Sequence, residues 1–420
     1  MPSYRVALIC IGIAFTLTGL YTGSELAAAL GLSTAIRAVI YGSIVLTVMS
    51  VPAAMVGART RLSTYMIVSH VFGVQGARAV NFVLAMVLLG WYAVTAELFG
   101  RTFFLTAAIY LPVNLPQWCY TLASSVVVIA TTIFGFRAID RLSLVVAPLL
   151  VMLTSYVAWQ AIGHVSWAEL LAVPGAHVDF GTGVSAVIGA VIVNVVLIPD
   201  LTRYSRSTLD CVVISFAGNG VGVCAALILA MIPALAFHEI DPMKYMAILG
   251  LVGVAFAVLV ASTWTINAVN LYSTGLVTST ALRKVSYGRI IIGCGAFGTV
   301  VAIVGIADRL LDFLVALGLI VPPIAAVYLT DFFVLRRQDY TAAAEVLTNL
   351  NGLGACLFGG TVGLATYLTH TSLTGVPTIE SFVSAATLYA IAEAIRVRSR
   401  RNRLWRADQE LAAGRTDCES

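Results

Sequence analysis

Charge is what this chain has least of. Lys and Arg number 24 and Asp and Glu 20 among 420 residues, with five His. A water-exposed globular domain carries about a quarter of its residues as charges, so a soluble protein is excluded. Polar linkers are also missing. The longest polar stretches are the C-terminal tail and loops such as residues 164–183, and no separate soluble domain can be cut out between them. The seven cysteines, at 10, 119, 211, 224, 294, 356 and 418, include no Cys-x-x-Cys and no His-rich partner motif, which argues against a disulfide scaffold and against a zinc site. No spaced set of acid, base and metal ligands interrupts the apolar spans. The chain is therefore not read as an enzyme, and no resident cofactor is expected.

What is present is apolar. Hydrophobic residues make up 60% of the chain and the mean hydropathy is +0.97. Crossing a bilayer takes ~20 such residues, and stretches of that kind centre near residues 18, 45, 92, 126, 152, 190, 222, 260, 297, 322, 360 and 387. They predict an all-α integral membrane protein of about 12 transmembrane helices, forming one transmembrane domain over residues 1–420. A cleaved signal is the competing reading of residues 5–31, where Ala27-Ala28-Ala29 supplies small residues, but the apolar stretch exceeds the ~7 to 15 residues of a signal core.

The few charges are sorted. With the N-terminus on the cytoplasmic side, the inner loops receive Arg5, then Arg59, Arg61 and Arg78, then Arg137 and Arg141, Arg203 and Arg206, Arg283, Lys284 and Arg289, Arg336 and Arg337, and a tail running from Arg396 to Arg415. Only Arg37, Arg101, Lys244 and Arg309 fall to the outer side. This bias predicts a multi-pass protein of the plasma or inner cell membrane with both termini cytoplasmic. The basic tail, residues 399–420, reads as a bilayer-surface anchor, so the net charge of +4 does not point to nucleic acid.

Two segments are punctuated near their middles. Segment 1, from Val6 to about Leu32, carries Thr16, Thr18, Gly19 and Tyr21-Thr22-Gly23; segment 6, from Val184 to about Pro199, carries Gly189 and Asn194. An unwound turn in lipid leaves peptide groups unpaired at several kcal/mol each, so breaks persist only where protein, ion or substrate satisfies them. Matched breaks in two halves point to the binding site of a transporter. The halves are residues 5–163 and 183–334. Their first helices start on opposite sides, which allows a 5+5 inverted repeat, with residues 350–398 as two additional helices.

Certain motifs resemble the nucleobase:cation symporter family, specifically its cytosine permease branch. They are Tyr21-Thr22-Gly23, Gly57 to Thr64 with Phe72 to Gly76, Pro199-Asp200-Leu201-Thr202-Arg203-Tyr204, Trp264 to Asn267 with Tyr272 to Gly275, and Pro322-Pro323 followed by Thr330-Asp331-Phe332 and Arg336-Arg337. The resemblance spans most of the chain. It implies a LeuT-type fold with discontinuous helices 1 and 6, a substrate site between helices 1, 3, 6 and 8, and cation-coupled alternating access. The substrate would be a cytosine-like nucleobase or related small heterocycle. Hydroxymethylpyrimidine, a purine, or allantoin or hydantoin are the alternatives within transport, and a channel or non-transporting receptor the alternative outside it.

Candidate residues follow from chemistry and resemblance together. Thr16, Thr18 and Gly19 lie at the expected break of segment 1. Trp91 is either packing or a π surface for a flat ring, and it matches the family's stacking tryptophan. Val191 stands where relatives place an aromatic cover. Asn194, Asn267 and Asn270 each offer a donor and an acceptor, and the last two share a helix face; Ser262 stands where the cytosine-selective branch has asparagine. For a coupling ion, Na+ or H+, the resemblance implies carbonyls of Gly12, Ala14 and Thr16 with hydroxyls of Thr265 and Ser262, Ile266 replacing a second hydroxyl residue. Glu25 and Glu97 are intramembrane carboxylates, functional candidates by default. Glu97 has Arg101 four residues on as a structural partner. Glu25 has none nearby in sequence, which favours proton coupling or attraction of a cationic substrate. Asp200, Arg203 and Asp331 are read either as cytoplasmic gates or as interface anchors.

Overall fold

The computed structural model describes residues 10–12, 14–110, 115–134, 137–176, 178–205, 207–282, 284–336, 338 and 347–416. The start of segment 1 at Val6, Arg206, Arg283, Arg337 and His177 lie outside that set, as do the side chains of Arg137, Arg141 and the tail from residue 399. The first half comprises α1 (Leu17–Leu30), α2 (Leu32–Thr60), α3 (Thr64–Tyr110), α4 (Gln117–Phe134) and α5 (Arg137–His164). The second comprises α6 (Phe180–Leu197), α7 (Thr208–Ala236), α8 (Val252–Ala281), α9 (Tyr287–Val304) and α10 (Ala307–Leu335), and α11 (Leu350–Thr369) and α12 (Pro377–Thr416) follow. Among the described residues, eleven helices are long and apolar enough to cross a membrane. The remaining segment is the broken first one, whose second half is α1.

The break in helix 1 is narrower than its composition suggests. Among the described residues of the segment, only the step at Phe15-Thr16 leaves the helix: Thr16 is extended (φ −139°, ψ 163°) and its hydroxyl accepts the Gly19 N–H at 3.1 Å, which caps α1. Thr18, Gly19, Tyr21, Thr22 and Gly23 are helical. Their small size serves packing instead. Gly23 lies against the Leu227 carbonyl of α7, while Gly218 and Gly222 of α7 lie against Cys10 and Ile11. Glycines of α7 thus seat the residues before the break, and Gly23 of α1 seats α7 beyond it.

Segment 6 is continuous through Gly189 and Asn194, contrary to the expected position of its break. A Cβ on Gly189 would sit 1.7 Å from the Leu314 carbonyl of α10, so this glycine permits a close helix approach and does not unwind anything. The interruption falls instead at Ile198, and a single turn, Pro199–Thr202, restarts with proline at its first position. Proline has no N–H to give the preceding turn and a φ suited to a helix start.

Helix α1 packs on α7 and α6 packs on α2, the reciprocal pairing required of two five-helix repeats in opposite orientations. Helices α3 and α8 lie against each other, and α11 and α12 form a hairpin on α10. Near its start, α3 bends at Gly73, whose φ of 76° is a conformation side-chain-bearing residues avoid.

Candidate functional site

Helices α1, α3, α6, α7 and α8 enclose a cavity of about 290 Å³ around the break in helix 1. Small-ligand pockets start near this size. Of the predicted substrate residues, Thr16, Thr18, Gly19, Trp91, Val191, Asn194 and Asn270 line it, and so does Ala14 of the predicted ion set.

Among the described residues, Trp91 is the one aromatic on the wall. Its ring meets Phe313 of α10 in a T-shaped contact, centroids 5.4 Å apart. Val191 lies on the wall of α6 without an aromatic beside it there.

The threonines of the site are engaged locally. Thr16 and Thr18 share a hydroxyl hydrogen bond of 2.9 Å, Thr22 donates to the Thr18 carbonyl at 2.8 Å, and Thr95 donates to the Trp91 carbonyl. The carboxamides are not. Among the described residues the side chains of Asn194, Asn219 and Asn270 form no hydrogen bond, and they reach the cavity from three different helices. Each can present an N–H donor and a carbonyl acceptor to a ligand. One ionisable carboxylate, Asp200, lies at the end of the cavity where α6 terminates.

Several predicted residues lie elsewhere. Asn267 is fully buried and off the wall, its carboxamide without a partner among the described residues. The wall stripe of α8 runs through Ile266 and Asn270, four apart, and Asn267 lies to one side of it, about 100° round the helix from Ile266 and about 60° from Asn270. Ser262 and Thr265 are buried and Gly12 partly so, all outside the lining set, and the Thr265 hydroxyl donates to the Ala261 carbonyl at 2.8 Å. Its oxygen lone pairs remain available, which suits a hard cation. Glu25 lies nine residues beyond Thr16, ~14 Å of helix rise, and outside the lining set.

An ion cluster lies on the Glu25 side of the cavity, outside its lining. Arg101 contacts Glu97 at 3.0 Å, Asp308 at 2.7 Å and the Tyr21 hydroxyl at 3.0 Å, and Glu97 accepts the Ala307 N–H at 2.6 Å. The predicted Glu97–Arg101 pair is therefore present and extends to α1 and α10. At the opposite end the gate residues do not pair with each other among the described residues. Asp200 accepts the Thr64 N–H at 2.8 Å, joining α6 to α3. Arg61 donates to the Arg203 carbonyl at 2.8 Å, while the Arg203 guanidinium lies over the Tyr204 ring. Asp331 is bound by Arg336 and by the Tyr389 hydroxyl of α12, both at 2.8 Å.

A family model described as a permease for cytosine/purines, uracil, thiamine and allantoin matches residues 4–369. The chain belongs to this permease family. It is a membrane transporter and not an enzyme. The permease is 26% identical to the cytosine permease of Escherichia coli O157:H7 over 348 residues, 82% of this chain and 81% of that protein, and 25% identical to the cytosine permease of strain K12 over the same shares. In fold it resembles Mhp1 in an inward-facing conformation, with a TM-score of 0.82 at 16% identity over 94% of this chain and 91% of the other. A closed Mhp1 with bromovinylhydantoin bound, a nucleobase-cation-symport-1 family transporter, gives a TM-score of 0.76 at 16% identity over 94% and 93%. A Na+-coupled sialic acid symporter gives a TM-score of 0.66 at 11% identity over 94% and 90%. The LeuT-type architecture thus holds for this permease, with the break in helix 1 pronounced and helix 6 only nicked at Ile198.

Asn219 and Thr95 were not anticipated from the sequence, and Thr22 was named only as part of the break in segment 1. Asn219 had a signal available, since it lies between Gly218, Gly220 and Gly222 in an otherwise apolar span.

Proposed function

We propose that this permease imports a neutral nucleobase or related small heterocycle, coupled to a cation, across the plasma or inner cell membrane. The observation that carries this reading is the pairing of one aromatic face, Trp91, with three unpartnered carboxamides on the same small cavity. A flat ring stacks on an indole for ~1 to 3 kcal/mol. Carboxamides read adjacent donors and acceptors on a ring edge, and burying a full charge beside them would cost far more than they return. The cytosine permeases among its relatives support the nucleobase class.

Val191 supports a second substrate reading. Without an aromatic where α6 lines it, the cavity tolerates a ring that is not flat on both faces, which favours allantoin or a hydantoin over an extended purine. Counterflow in proteoliposomes with labelled cytosine, uracil, hydroxymethylpyrimidine, hypoxanthine and allantoin tests both readings. Uptake of at least one is expected, and silence from all five sinks the nucleobase assignment.

For coupling we propose an oxygen cage at the break of helix 1, built from the carbonyls of Gly12, Ala14 and Thr16 with the Thr265 hydroxyl. Under proton coupling the carrier is Glu25. Uptake measured without sodium, and again with the proton gradient collapsed, separates the two. The arginine bias of the loops supports cytoplasmic termini, and the likeness to inward-facing Mhp1 supports a cavity open toward Asp200 on that side. Asp200, Arg203 and Asp331 then anchor the inner gate through separate networks, and the Arg101 cluster closes the outer one.

A further inference from the structure

Helix α7 contains a π-helical turn over Phe216–Gly222, between α-helical stretches Thr208–Ser215 and Val223–Ala236. Such turns are rare and gather at functional sites, because the widened backbone redirects a side chain that a regular helix would place elsewhere. Here the redirected residue is Asn219. It is 7% exposed, it reaches the wall of the cavity, and among the described residues it makes no hydrogen bond. Its amide opens onto the cavity, unlike that of Asn267, which is sealed in the core, so both its donor and its acceptor can meet a ligand group.

The surroundings explain how it gets there. A Cβ on Gly218 would come within 2.6 Å of the Cys10 Cβ, and one on Gly222 within 3.1 Å of the Ile11 Cα. These two glycines seat the π turn on the half of helix 1 that precedes the break. Asn219 begins a stripe continued by Val223 and Leu227 at intervals of four, all on the cavity wall. Its depth is within one helical turn of that of the carboxamide on α6. Asn219 lies eleven residues after Thr208 (219 − 208), and Asn194 eight before Thr202 (202 − 194), or ~16 and ~12 Å from the Asp200 end of the bundle.

We propose that Asn219 is a specificity-determining residue: with Asn194 it reads adjacent donor and acceptor groups on the edge of a neutral heterocycle whose face lies on Trp91. This inference rests on the nucleobase reading above. The π turn, and not the two broken helices alone, then sets which heterocycle is accepted.

The test uses the full-length permease in proteoliposomes. The five-compound counterflow panel is run first on the unaltered protein, and then competition among cytosine, uracil and allantoin against its transported substrate is measured in Asn219→Ala and the near-isosteric Asn219→Leu. Loss of a hydrogen bond that leaves a ligand group unpaired predicts a half-saturation concentration raised roughly 5- to 150-fold, together with a changed rank order of the competitors. Unchanged half-saturation and rank order in both variants would overturn the assignment. A lowered maximal rate alone, with half-saturation and order intact, would also overturn it, since a hinge role for the π turn produces that result. If one variant fails to reach the membrane, the other carries the comparison. Silence of the unaltered protein toward all five compounds would remove the nucleobase reading and this inference with it, a result distinct from transport that ignores Asn219.

Discussion

Arg101 of α3 lies 2.7 Å from Asp308 in the first turn of α10 and 3.0 Å from Glu97, with side-chain exposures of 66% for Asp308 and 3% for Glu97. The two pairs are therefore unequal. Removing Arg101 strands a buried carboxylate, a loss of about 3 to 5 kcal/mol, whereas the Asp308 contact is solvent-screened and adds under ~1 kcal/mol. Arg101→Ala is expected to lower the melting temperature of the detergent-solubilised protein far more than Asp308→Asn. Equal shifts would show that Glu97 is not the buried member of the pair.

Among the described residues, Trp91 is the sole aromatic on the cavity wall. Trp91→Ala is expected to weaken substrate binding by ~1 to 3 kcal/mol, read as a raised half-saturation concentration in uptake. Val191→Phe supplies a second ring and is expected to favour planar cytosine over allantoin. Unchanged affinity in Trp91→Ala would disprove stacking.

Gly189 faces the Leu314 carbonyl at a distance no Cβ can share. Gly189→Ala is expected to separate α6 from α10 and cost about 1 to 3 kcal/mol or more, seen as reduced yield and melting temperature. Gly354 of α11 has open space at its Cβ position. Gly354→Ala is expected to leave the protein as stable or raise stability by ~0.5 to 1 kcal/mol.

Thr265→Val keeps the side-chain shape and removes the oxygen proposed for the cation. If sodium is the coupling ion, the sodium concentration for half-maximal uptake is expected to rise at least ~10-fold, as loss of one ligand among few implies. Glu25→Gln is expected to leave sodium-driven uptake intact. Sodium activation untouched in Thr265→Val would remove this residue from the ion site.

Membrane class, span count and the reciprocal halves were legible because the bilayer imposes a length and a polarity on every segment, and these survive in composition alone. Trp91, Asn194 and the Thr16 region were legible because polar or bulky groups are conspicuous in an apolar span. The positions of the breaks were not. Glycine marks both an unwound turn and a close helix approach, and Gly189 proved to be the second.

The same division runs through the site. Which residue types this protein commits to the membrane interior is a property of the chain itself: tryptophan, several carboxamides, carboxylates such as Glu25 and Glu97. Which of them face the cavity was decided by helix rotation. A turn of about 60 to 100° along α8 places Ile266 and Asn270 on the wall and Asn267 beside it in the core, and a π turn brings Asn219 into the site. Helix rotation and turn type are set by contacts between residues hundreds of positions apart, such as Gly218 on Cys10, and only the packed structure contains them.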